Sequence, residues 1–480
     1  MNNKIINTTS VKLIGALKVS IMLGISMLSL SVVSEELSLS NIFSDHMVLQ
    51  REQPVKIWGS GTPGEEVELI FRGDHFDTQT DKKGQWEIIL PPMKAGGPFE
   101  MHVKSGSATQ TLKDIFLGEV WLAAGQSNMA FRFKFSDDKD KPGAFLAIDD
   151  TNVRMYEVAK IVSGGKLLNA EDTPWTVADK TIIDEWSAVA VYFSQALALE
   201  KGVAIGIINC SQGSSTIEAW MSASAIADAK AAGYVPMEEF EDIRRYYRNP
   251  SVLHQSMLSQ VIPYGIRGVL WYQGESNAKD AASYEILLPA MIRSWREMWG
   301  QKELPFLFAQ LPAYEPPDES TENSWALFRA AQAEVDKTVP NTGMAVLIDV
   351  GEKDNIHPKN KKTVGDRLAS LARARVYGEN IAYSGPSIKK IEYRGKTATI
   401  SFHHAEDGLV VRGVTPQGFS VKSSGGDWYQ AEARVSKGQI IVGHPEVPEV
   451  TGVRYGWANA PGVNLYNKKG YPAVPFRVEE

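Results

Sequence analysis

Val120-Trp121-Leu122-Ala123-Ala124-Gly125-Gln126-Ser127-Asn128-Met129 carries five apolar residues straight into a glycine-led turn that bears a serine. A near-continuous apolar run of this length suits a parallel strand buried on both faces. The pattern recurs in Ala204 to Cys210, Gly268 to Gln273, Pro305 to Leu311 and Met344 to Val350. Between these runs, Val189 to Lys201, Tyr284 to Trp299, Trp325 to Val339 and Lys361 to Tyr377 read as amphipathic helices. In the second of them Leu288, Met291, Ile292, Trp295 and Trp299 fall on one stripe, the face that packs on a sheet. Alternating β and α elements predict a doubly wound α/β domain with a parallel sheet. Such sheets place their ligand sites beyond the carboxyl ends of the strands.

Outward from this core the pattern shortens. Val55 to Trp58, Glu66 to Phe71 and Trp86 to Leu90 are brief strand-like runs, separated by Gly61-Thr62-Pro63-Gly64 and Asp81-Lys82-Lys83-Gly84. Strands punctuated every ~8–12 residues by turns predict a small β-sandwich. Short strands return at Ala398 to Phe402, Leu409 to Val411, Ile440 to Val442 and Gly452 to Tyr455. The expected division is 35–117 for the N-terminal β-sandwich, 118–384 for the α/β domain and 385–480 for a C-terminal β domain. The β regions either bind glycan or brace the core. Ahead of them Lys4, Lys12 and Lys18 precede the uncharged run Val19 to Val33. Residues 1–34 read as a secretory signal cleaved after Ser34. The competing reading is an uncleaved anchor, against which stands a run shorter than the ~20 residues a membrane-spanning helix needs. An exported protein, periplasmic or extracellular and not inserted in the membrane, is the expectation.

Composition narrows the function. With 50 Lys and Arg against 57 Asp and Glu, the net charge is −7, which argues against a nucleic-acid partner because phosphate binding needs clustered positive charge. Cys210 is the single cysteine, so neither an intrachain disulfide nor a thiolate zinc site is expected. No His/Asp cluster with ligand spacing appears, and neither a metal nor another cofactor is expected.

Four strand-end segments carry residues suited to acyl transfer. Ser127 stands after the first apolar run, where a strand-to-turn junction exposes a hydroxyl and nearby N–H groups serve an oxyanion; the same residues are also ordinary turn chemistry. Asp354-Asn355-Ile356-His357-Pro358 follows the last run, and of eight histidines only His357 lies where a base for Ser127 should be. A serine nucleophile needs such a base, and the base an acid to fix its tautomer. Gln273-Gly274-Glu275-Ser276-Asn277 follows a third run: Gln273 offers an amide donor for an oxyanion, while Glu275 reads either as a general acid or as a buried structural carboxylate. Gln212-Gly213-Ser214-Ser215 follows a fourth, where a glycine permits close backbone approach to a substrate oxygen.

Gly-Gln-Ser-Asn-Met at 125–129, Trp-Tyr-Gln-Gly-Glu-Ser-Asn at 271–277 and Asp-x-x-His-Pro-x-Asn-Lys at 354–361 together resemble the sialate O-acetylesterase family of the SGNH hydrolases. The likeness extends to Asp45-His46-Met47-Val48-Leu49-Gln50-Arg51 and to Val453-Arg454-Tyr455-Gly456-Trp457, and so spans nearly the whole chain after residue 34. It implies a flavodoxin-like SGNH hydrolase core, an O-acetylated sugar as substrate, and a metal-free Ser/His/Asp mechanism. Carried over, Ser127 is the nucleophile, His357 the general base and Asp354 its orienting acid, with Asp349 ranked second. The oxyanion hole falls to the N–H groups of Ser127 and Gly213 and the side chain of Gln273. Here the second loop has Gly213-Ser214 where the family usually has a Gly-Gly pair. Glu275, Asn277 and Arg329 are candidate substrate-binding residues; Trp325, Arg329 and Gln332 share one helix face, and Arg329 either meets a sugar carboxylate or serves in a salt bridge or in solvating the helix. The alternatives are an acetylxylan or other hemicellulose acetylesterase with the same triad and, more remotely, a non-catalytic carbohydrate-binding protein.

Overall fold

The computed structural model describes residues 37–137, 141, 143, 152–160, 174–317 and 323–480. The expected signal segment 1–34 lies outside the described residues. A long strand, β1 (Ala108–Gly125), organises the rest. Its first half alternates between exposed and half-buried residues, and from Leu117 onward every residue is buried. The alternating half pairs with the N-terminal strand Gly96–Ser105, and Val48–Gln50 runs parallel to Phe116–Gly118. The buried half is the centre of the α/β sheet, so the position dividing 117 from 118 falls inside one continuous strand.

The central sheet adds β2 (Val153–Glu157), β3 (Thr176–Val177), β4 (Ile205–Ser211), β5 (Gly268–Tyr272), β6 (Phe306–Ala309) and β7 (Thr342–Ala345). Their spatial order is β3-β2-β4-β1-β5-β6-β7. All neighbours are parallel except the edge pair β2–β3. The chain therefore reverses its winding at β1, which places the topological switch point, where such sheets bind ligands, at the end of β1 between β4 and β5.

Helices α1 (Ala188–Lys201), α2 (Ala223–Ala231), α3 (Ala281–Met298), α4 (Ser324–Thr338) and α5 (Lys361–Leu371) cover the sheet. α3 and α4 pack on one face through Leu288, Trp295 and Phe328, in a hydrophobic core continuous with Val55, Ile57 and Val103 of the N-terminal strands. α1 and α5 pack on the other through Phe193, Val364 and Leu368. The N-terminal β region thus shares its core with the α/β domain. The strands after residue 386 form three antiparallel sheets with a separate core around Ile400, Val421 and Val453.

Two sequence expectations change. The run Met344 to Val350 is a strand only to Ala345; Val346, Leu347 and Ile348 stay buried in irregular chain. Apolar sequence reports burial here rather than strand pairing. Strand β2 has no matching apolar run because Arg154 sits within it. That side chain is 3% exposed, held by Asp114 at 3.0 Å and stacked 4.0 Å from the Phe116 ring centroid.

Candidate active site

Gly125 ends β1 at φ 137°, and a Cβ there would lie 2.1 Å from the Tyr272 carbonyl oxygen. Only glycine lets β1 and β5 finish this close, and the turn that follows lifts Ser127 over the sheet. The turn is tied on both sides. Gln212 N–H donates to the Gly125 carbonyl at 3.0 Å, and Gln126 Oε1 accepts from the N–H groups of Gly274 and Ser276 at 3.3 Å each.

His357 reaches this turn from the loop after β7, with Nε2 2.8 Å from Ser127 Oγ. The loop is shaped by Asn355 and Glu352. Asn355 Oδ1 accepts the His357 N–H at 3.0 Å while its Nδ2 donates to the His357 carbonyl at 2.9 Å and to Glu352 Oε2 at 3.0 Å. Glu352 Oε1 accepts the Lys359 N–H at 2.7 Å. Burial, reinforced by the charge of Lys361, lowers the His357 pKa from its ordinary 6.5, favouring the neutral imidazole that a base requires.

Gly213 lies beside the serine, since a Cβ built on it would stand 3.8 Å from Ser127 Cβ. Neither the Ser127 nor the Gly213 N–H has a hydrogen-bond partner among the described residues. Two free donors next to a hydroxyl paired with imidazole fit the needs of a developing oxyanion.

Other expected residues stand differently. Gln273 is fully buried, and its amide donates to the Ser215 carbonyl at 3.1 Å and to Asn277 Oδ1 at 2.8 Å. Asn277 is fixed in turn, accepting from Ile217 N–H at 3.0 Å and donating to Glu218 Oε2 at 3.0 Å. Both side chains therefore brace the Gly213 loop from below, with their donors spent. Glu275 turns its carboxylate inward to the Asn128 amide. Arg329 is 0% exposed and caps the carbonyls of Gly456, Ala458 and Asn459 in the C-terminal β region. Burial pushes its pKa down to about 9, and among the described residues no carboxylate pairs with it. Its helix neighbour Gln332 holds Leu311 N–H at 2.9 Å and the Ala309 carbonyl at 3.2 Å, so this face of α4 is a brace. Asp349 makes a two-pronged ion pair with Arg367 at 2.7 and 2.8 Å. Asp354 is exposed, and no hydrogen bond joins it to His357.

Sequence reasoning missed Asn128, Glu352, Asn355 and Lys361, all in contact with the serine or histidine loop. Asn355, two residues before His357, carried the available signal: asparagine folding its own backbone two residues on is a common turn device. Among the described residues no helix is long and apolar enough to cross a membrane.

Residues 117–374 match the family model described as carbohydrate esterase, sialic acid-specific acetylesterase. The sialate O-acetylesterase of Homo sapiens is 31% identical over 395 residues, covering 74% of each chain. That of Mus musculus is 30% identical over 454 residues, covering 80% of this chain and 82% of its own. A solved carbohydrate acetylesterase from Xanthomonas citri superposes with a TM-score of 0.83 at 34% identity, covering 92% of this chain and 99% of its own. A model matching more than half of the chain, relatives of 30% identity or more over most of it, and a shared tertiary structure place it in one group of carboxylic ester hydrolases: the chain belongs to the sialic acid-specific acetylesterase family of carbohydrate esterases.

Proposed function

We propose that this chain is an exported serine esterase that removes O-acetyl groups from sialic acids, on a flavodoxin-like SGNH hydrolase core. The observation that carries the mechanism is the 2.8 Å contact between Ser127 Oγ and His357 Nε2 at the sheet's switch point. The order β4-β1-β5-β6-β7 supports the flavodoxin-like reading, being the 2-1-3-4-5 order of that fold. The division at 117 and 384 and the signal at 1–34 belong to the same proposal, as does the exclusion of nucleic acid by the net charge of −7.

In the first step Ser127 Oγ attacks the acetyl carbonyl carbon while His357 Nε2 takes its proton. The oxyanion meets the N–H groups of Ser127 and Gly213. Collapse expels the sugar oxygen, which leaves with the proton from His357. Water then attacks the acetyl-serine, His357 takes a proton from it, and acetate departs as Ser127 recovers its hydrogen. Asp354 is the proposed acid that turns toward His357 Nδ1. It is three residues away on the same loop, and Asp349 is already engaged by Arg367.

A second reading, an acetylxylan or similar hemicellulose acetylesterase, gains from the burial of Arg329, which withdraws the cation expected for a sialic acid carboxylate. The test is acetate release from 9-O-acetylated sialic acid, acetylated xylan and an aryl acetate by protein lacking residues 1–34. Preference for the sialoside supports the proposal, and preference for xylan moves the substrate while keeping the chemistry. Ser127→Ala is expected to abolish turnover with the fold intact; retained turnover overturns the serine mechanism.

A further inference from the structure

Behind Ser127 and His357 lies a buried charged cluster that the two-step reaction does not use. Lys361, 0% exposed, donates from Nζ to Asn128 Oδ1 at 2.6 Å. Its ammonium lies 4.7 Å from the Phe131 ring centroid and 5.7 Å from that of Tyr272. The amino group of Asn128 donates to Glu275 Oε1 and, at 3.0 Å, to the Ile356 carbonyl. Asn128 immediately follows the proposed nucleophile, and Ile356 immediately precedes the proposed base. One amide thus joins the serine turn, the loop after β5, the histidine loop and the start of α5.

The placement is unfavourable for stability. Lys361 is the first residue of α5, where the helix dipole disfavours a cation. Burial pushes its pKa down to about 7 against the opposing charges of Glu275 and Glu352, and burial raises that of Glu275. Apolar packing in place of such buried charges is often at least as stable. The cluster does supply fixed geometry between the serine turn and the histidine loop. Of the charged groups around His357, Lys361 at the start of α5 depresses its pKa; on its own loop Glu352 is engaged by Asn355 and Lys359, while Asp354 and Lys359 are exposed.

We propose that Asn128, Glu275 and Lys361 are positioning residues for the esterase pair: the Asn128 amide locks Ser127 to the His357 loop, and Glu275 and Lys361 hold that amide at its two ends. This rests on the reading of Ser127 and His357 as nucleophile and base.

The test compares Asn128→Ala, Lys361→Met and the double variant Lys361→Met/Glu275→Gln with the wild type, in two readouts. The first is the titration of His357 by NMR on protein with labelled histidines, assigned with a His357→Gln variant. The second is kcat and KM on an aryl acetate across pH. Losing the Lys361 charge removes an influence that lowers the His357 pKa, so both Lys361 variants are expected to titrate at higher pH and to move the acid limb of kcat/KM with it. Asn128→Ala is expected to lower kcat by ~10–100-fold with little change in KM, the scale of loss for a misplaced catalytic pair. If Lys361→Met leaves the Glu275 charge without a nearby cation and fails to fold, the double variant removes both charges and decides the point. Folded variants with wild-type kcat and an unmoved His357 titration overturn the proposal. The NMR titration needs no turnover, so an inactive wild type counts against the esterase reading alone.

Discussion

His357 works in a setting that keeps its imidazole neutral. Burial first, and then the Lys361 charge, hold its pKa below 6.5. A base with a depressed pKa stays deprotonated further into acid, so with His357 as the proposed base the acid limb of kcat/KM for wild-type protein is expected to have its midpoint below pH 6.5. A pH series with an aryl acetate checks this, and an acid limb centred above 6.5 contradicts it. The two aspartates separate by the same assay. Asp354→Asn is expected to lower kcat by as much as ~10⁴-fold, as when a triad acid can no longer fix the histidine tautomer. Asp349→Asn breaks the ion pair with Arg367 and is expected to lower the melting temperature while leaving most of kcat. The reverse pattern assigns the acid to Asp349. Ser127 and His357 stood out in the sequence because each belongs to a short motif, one at the end of β1 and one on the loop after β7. The roles of Gln273 and Arg329 were not, because their partners are set by folding: Arg329 meets Asn459, 130 positions along the chain.

Two elements packed in the core are also held by buried charge. Glu119, on β1 and 0% exposed, accepts from Arg51 Nε at 2.6 Å and Arg267 Nε at 2.7 Å. This explains the Gln50-Arg51 end of the N-terminal motif: Gln50 Oε1 also receives the Val120 N–H at 2.9 Å. The motif is a clamp on β1. Burial raises the Glu119 carboxyl, but Arg267 and Arg51 outweigh it and hold it below its ordinary 4.5. Its contribution to stability is therefore full above that value and lost as pH falls below it. Glu119→Ala leaves Arg51 and Arg267 with only the exposed Glu52, at 3.8 and 3.7 Å, and is expected to cost about 3–5 kcal/mol in a urea titration at pH 7. Arg329→Met strips the donors from three carbonyls of the C-terminal loop. A loss of roughly 1–3 kcal/mol is expected for the acceptors left unsatisfied, with KM for any active substrate unchanged.

Taken whole, the molecule is an α/β sheet fused to one β region and strapped to another. The N-terminal strands continue the central sheet through β1 and share its core. The C-terminal sheets keep their own core and meet the α/β domain through Val463 and Val474 and through polar contacts, including Arg329 and the Tyr314 N–H donating to the Asn459 carbonyl at 3.2 Å. The loop after β6 passes this hold to the active site, since Glu315 N–H donates to the Lys353 carbonyl at 2.8 Å beside the histidine loop. A chain ending at residue 384 is therefore expected to give little soluble, active protein, measured as yield and acetate release against the longer chain. The sequence by itself determined the order of most core strands and helices and the family, and singled out Ser127 and His357, because apolar periodicity and short motifs are local. Only the tertiary structure decided which amide donors stay free, which arginine is buried and which carboxylates are already paired. Those outcomes depend on burial and on partners far along the chain, and a buried polar group takes whichever partner the packed fold brings within reach.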